Sequence, residues 1–251
     1  MFDLRLIRAD VLKLRRRRGM LALCVVMTFG VVALMVVVAA LQHGGNPLDH
    51  GPAGGLMAYR DVMFAQTLLM LVVGTIVGAT AGAQDLESGV FRDLAATGRS
   101  RSALFAARIP GACAIVLAIG TLSSAAAAIA AFALADGAIT PDAAALVSAT
   151  AGMLSSGVLT AAVAVGLSAL TGSKSPVIAT MLAFNLAVAP LLSGIAWLGD
   201  VRQAIPTNAV FRIGEGPQII GMGLVTAIVV VLAWTAAAWA AGAWRTRTRE
   251  L

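Results

Sequence analysis

Charged residues are scarce in this chain: Asp, Glu, Lys and Arg make up 12% of its 251 positions. Long stretches hold none, which excludes an ordinary water-soluble surface over most of the polypeptide. Cysteine occurs only at Cys24 and Cys113, each inside an apolar run, so no disulfide framework is implied. The two histidines, His43 and His50, share a Gly- and Pro-containing segment with Asp49 and Asp61. That segment reads as a flexible polar loop, because nothing in it fixes the ligand spacing a metal needs. Gly172-Ser173-Lys174-Ser175 ends like a phosphate-binding loop, but Ser173 stands where that motif requires glycine and no strand precedes it. No nucleotide site, metal site or catalytic set is visible. The chain therefore reads as a non-enzyme with no cofactor of its own.

What the chain has in abundance is apolar length. Hydrophobic residues make up 59% and mean hydropathy is +0.91. Six uncharged runs reach the roughly 20 residues that cross a bilayer, about 19–41, 62–83, 109–134, 144–170, 177–198 and 219–243. The fold expected is an all-α polytopic membrane protein with six spans and no soluble domain. Residues 1–18 place Leu4, Ile7, Val11 and Leu14 on one helical face and end in Arg15, Arg16, Arg17 and Arg18. This is the pattern of an amphipathic interfacial helix, its arginines attracted to anionic lipid by about 1 kcal/mol each. A signal peptide is disfavoured, since the run Gly19–Leu41 is longer than a cleaved signal core.

Basic residues report orientation. The amino terminus, the segment 84–108, the turn 171–176 and the tail 244–251 hold fifteen of the eighteen Lys and Arg. The positive-inside rule then places both termini and the 84–108 loop in the cytoplasm. Topology also accounts for the net charge of +6, without invoking nucleic acid. Arginine outnumbers lysine 16 to 2, a composition associated with GC-rich bacterial genomes, so the membrane expected is a bacterial cytoplasmic one.

As drawn, the spans contain no Asp, Glu, Lys, Arg or His, which argues against proton-coupled transporters and voltage sensors. Any uphill movement must draw its energy from another subunit. Span two carries Gly74, Gly78 and Gly82, a tandem GxxxG that admits a second helix closely, from this chain or from another copy. Gln66 and Asn185 are the side-chain amides within spans, and each can hydrogen-bond either a substrate or a neighbouring helix. Pro190, five residues beyond Asn185, predicts a kink.

The longest charged interruption after the amino terminus is the loop from Gln84 to Arg108. Leu86, Val90 and Leu94 recur four apart and predict a short amphipathic helix, stopped at Gly98, with Ser100 or Ser102 capping the next. The run Glu87-Ser88-Gly89-Val90-Phe91-Arg92-Asp93-Leu94, then Gly98-Arg99-Ser100-Arg101, Leu104 and Arg108, resembles the corresponding loop of type-2 permeases of ATP-binding-cassette (ABC) transporters. The basic amino-terminal helix and the six-span arrangement extend that resemblance over nearly the whole chain. Three positions depart from the family pattern: Val90 where Thr is usual, Arg108 where Lys is common, and Thr97-Gly98 in place of a small residue followed by Pro.

The resemblance implies a coupling helix at Glu87–Leu94 that docks on a cytoplasmic ABC ATPase. Phe91 and Leu94 would be its apolar anchors and Arg92 and Asp93 its rim charges, with Arg99 and Arg101 in the basic turn. It further implies pairing with a second permease copy or a related permease, ATP and Mg held by the ATPase, and alternating access. The cargo implied is a hydrophobic or amphipathic compound, exported. Segment 199–218, with Pro206, resembles the external re-entrant segment of such permeases. An ATP-independent facilitator or channel, and a non-transporting scaffold, are the alternative readings.

Overall fold

A computed structural model describes residues 4–90, 100–213 and 221–248, and among these every regular element is a helix. An amino-terminal helix, Leu4–Arg16, is followed by span one (Arg18–Gly45), span two (Gly55–Glu87), span three (Arg101–Ala133) and span four (Ala143–Thr171). Span five covers Lys174–Gly194 and span six Leu224–Thr248. These six helices are long and apolar enough to cross a membrane. The chain is an all-α polytopic membrane protein.

Local chemistry sets the helix ends. Ser100 accepts the Ala103 amide at 3.3 Å and starts span three, and Asp142 accepts the Ala145 amide at 2.8 Å and starts span four. Gly172, at φ 80°, closes span four in the left-handed conformation that glycine adopts without penalty. Arg17, at ψ 66°, breaks the path between the amino-terminal helix and span one.

The pair at the centre of the bundle is span two against span four. A Cβ at Gly74 or Gly78 would strike the backbone carbonyl of Gly157 or Ala161, and one at Gly82 would meet Ser168 and the Val165 carbonyl. The tandem glycines are therefore used within the chain, where close backbone approach replaces the hydrophobic drive that lipid cannot supply. Span six joins span four the same way: a Cβ at Gly242 would come 2.6 Å from the Gly166 oxygen. Spans one and six turn most of their surface outward.

The amino-terminal helix docks on span three at Gly111, where an added Cβ would stand 3.0 Å from the Asp10 Cβ. Leu14 is buried and Ile7 and Val11 are half-buried, whereas Leu4 remains exposed, so the later part of the stripe faces the bundle. Span five is not one regular helix. It runs as α-helix over Lys174–Ala183, as π-helix over Phe184–Val188 and as α-helix again over Ala189–Gly194. Pro190 has no N–H to continue either hydrogen-bond ladder, and the irregularity sits immediately before it. A 3-10 segment, Ala196–Ala204, and a short helix, Pro206–Ile213, follow.

Candidate functional site: a charged end and an apolar cavity

The start of span three, the ends of spans two and six, and the amino-terminal helix meet at one end of the bundle. There the Arg108 side chain, 2% exposed, donates to the Gly82 carbonyl at 2.6 Å and to Asp85 Oδ2 at 3.4 Å. Lys13 Nζ donates to both Asp85 oxygens, at 3.2 and 3.0 Å, and lies 3.5 Å from Asp10. This corrects the expectation of charge-free spans. Spans two and three extend beyond their apolar runs and carry Asp85 and Arg108 into the protein. Two cations and two carboxylates gathered there offset the cost of burying each alone. Burial pushes the Asp10 carboxyl above its usual range, with Lys13 and Arg108 opposing the shift and Asp85 adding to it.

A second link lies beside this cluster. Glu87, the last residue of span two, accepts the Lys174 backbone amide at 2.8 Å and the Ser173 hydroxyl at 3.3 Å on Oε1. Its Oε2 pairs with Lys174 Nζ at 3.1 Å. A carboxylate at the first amide of span five satisfies a donor that the helix cannot, and it complements the helix dipole.

Within the spans, a cavity of about 240 Å³ opens between spans two, four, five and six and the short helix Pro206–Ile213. Leu71, Val163, Met181, Val210 and Val231 are among its walls, and none of the described lining residues is ionisable. Asn185, on the π-helical turn, lines it with Oδ1 accepting the Thr207 hydroxyl at 3.1 Å. Phe184 and Trp234 stand across the gap between spans five and six, their ring centres 6.5 Å apart.

A family model described as ABC-2 family transporter protein matches residues 6–191, from the amino-terminal helix almost to the end of span five. The chain belongs to that family. It is a membrane permease of an ABC transporter, and membership implies partnership with an ABC ATPase subunit, permeases of this family being typically non-catalytic. No curated protein matches the chain significantly.

In this ABC-2 permease the residues singled out in the sequence fall in different places. Glu87 is engaged with span five rather than free on a separate helix, and Leu86 belongs to the end of span two. Ser88 turns its hydroxyl back to the Gln84 carbonyl at 2.9 Å, Gly89 takes φ 74°, and Val90 is exposed. Phe91, Arg92, Asp93, Leu94 and Arg99, with Gly98, lie outside the described residues. Arg101 opens span three, and Arg15, Arg16, Arg17 and Arg18 are exposed. Gln66, fully buried, donates to the Thr28 carbonyl of span one at 2.7 Å and does not line the cavity. Asn185 does. His43 Nδ1–H donates to the His50 carbonyl at 2.8 Å, and Nε2 lies 3.4 Å from Asp136 Oδ2.

The sequence reading missed the Lys13–Asp85–Arg108 cluster. A signal was present: opposite charges close both ends of the 84–108 loop, and Asp10 and Lys13 stand one helical turn apart.

Proposed function

We propose that this chain is the membrane-spanning half of an ABC exporter, which moves a hydrophobic or amphipathic substrate by alternating access. A separate ATPase, holding ATP and Mg, drives it. Two permease domains pair, as copies or relatives, in a bacterial cytoplasmic membrane with both termini in the cytoplasm. The coupling contact is Glu87–Leu94, with Arg99 and Arg101 in the following turn, and Arg15–Arg18 face lipid headgroups.

The observation that supports this reading is the anchoring of the loop's two ends. Asp85 binds both Arg108 and Lys13, while Glu87 grips Lys174. A push on the loop would thereby reach the amino-terminal helix and the start of span five together, and span five borders the cavity. Co-purification with the ATPase, comparing wild type with Phe91→Ala and Leu94→Ala, tests the coupling assignment. Weakened association and reduced ATP turnover are expected. Undiminished association and turnover in both variants would defeat it.

A further inference from the structure

We infer that the cavity between spans two, four, five and six is a binding site within a single chain for an uncharged, mainly apolar molecule bearing a hydrogen-bond acceptor oxygen. As the seat of exported cargo it rests on the exporter reading; as a binding site it rests on the cavity alone.

Two polar groups in otherwise apolar walls carry the argument. Thr67, Thr75, Thr80, Thr160 and Thr246 each turn the hydroxyl back to the carbonyl four residues earlier. That is the ordinary way for a threonine in a helix to satisfy its hydroxyl away from water. Thr235 lines the cavity and departs from the habit: its buried Oγ1 has no partner among the described residues. Asn185 spends Oδ1 on Thr207, and its Nδ2 has no hydrogen bond among the described residues. A hydroxyl and an amide N–H are thus left unused in one apolar chamber, and a ligand oxygen can meet either or both.

Charge and access define the rest of the ligand. With no ionisable residue in the described lining, a phosphate, carboxylate or ammonium seated here would lose its hydration with no counter-charge from those walls. The seated part is therefore neutral. Span five packs chiefly on span two and then on span four, span six packs on span four, and the Phe184 and Trp234 rings bridge the opening between spans five and six. Trp234 is half exposed and its indole N–H is held by the Ala204 carbonyl at 2.9 Å, which fixes one side of that opening. Entry from the bilayer at this point would have to part the two rings but no extended helix interface.

Trp234 also provides the test. With Trp197, Trp239 and Trp244 changed to Phe, the chain in phosphatidylcholine nanodiscs is titrated with a dibrominated diacylglycerol, a neutral lipid with ester and hydroxyl oxygens. Dibrominated phosphatidylcholine at equal bromine content is the reference. Saturable quenching of Trp234 by the diacylglycerol, above the reference, is expected. Asn185→Leu should weaken it about three- to tenfold and Thr235→Val by less, while Val163→Phe, which fills the chamber, should abolish the saturable part. Equal, linear quenching by both lipids would overturn the proposal, as would quenching indifferent to Val163→Phe. A change of particle mass with Val163→Phe would mark the chamber as a contact between copies, and would overturn it too. Because no ATPase is present, failure here leaves the exporter reading to be judged by the co-purification.

Discussion

Glu87 holds Lys174 twice, by its backbone amide at 2.8 Å and by its ammonium at 3.1 Å, and so ties the end of span two to the start of span five. Both side chains are near a third exposed, so the link's energy is modest and its geometry matters more. Glu87→Ala should lower stability by only about 1 kcal/mol, as expected for a lost helix cap. If the loop transmits force through this link, Glu87→Ala should reduce transport per ATP hydrolysed in the reconstituted complex while ATPase association persists. A proportional fall of both quantities would show that the link is merely structural.

Arg108 and Asp85 should behave as a coupled pair. Arg108→Met alone leaves Asp85 in a nearly closed site with Lys13 still beside it, and a loss of about 1.5–3 kcal/mol is expected. Asp85→Asn should cost similarly, since Arg108 keeps its charge with less to oppose it. The double variant should lose clearly less than the sum, because it buries no unmatched charge there. Thermal or denaturant unfolding in nanodiscs measures the cycle, and strict additivity would refute the coupling.

Asp10 gives a pH signature with a definite sign. Its carboxyl is raised in the folded protein by burial, against Lys13 and Arg108, so the folded state binds that proton more tightly than the unfolded state. Its contribution is therefore most favourable at acid pH and is lost as pH rises through the raised value. The gap in melting temperature between Asp10→Asn and wild type should grow from near zero around pH 4 in favour of the variant by pH 7. A variant less stable than wild type at neutral pH would show that the pairing with Lys13 outweighs burial.

Glycines that look alike in sequence should respond differently. Gly78→Ala drives a methyl into the backbone of Ala161, which cannot swing away, and about 1–3 kcal/mol of destabilisation is expected. Gly30→Ala in span one meets nothing within 4 Å and should be neutral or slightly stabilising. Equal melting temperatures for the two variants would mean that spans two and four do not approach as closely as described.

The class of the fold and the family were legible along the chain because hydropathy, charge and the loop pattern from Glu87 to Arg108 are read in one dimension. A run without charge must find lipid, whatever lies beside it, so six spans follow from the sequence alone. The sequence could offer Gly74, Gly78 and Gly82 as a packing face, but only the assembled bundle decided that span four of the same chain fills it. Likewise the sequence could not join Lys13 to Asp85, separated by 72 positions, or Glu87 to Lys174, separated by 87. Nor could it separate Gln66, whose amide N–H goes to span one, from Asn185, which borders a cavity. Such distinctions depend on which distant segments approach within hydrogen-bond reach, and helix periodicity carries no information about that.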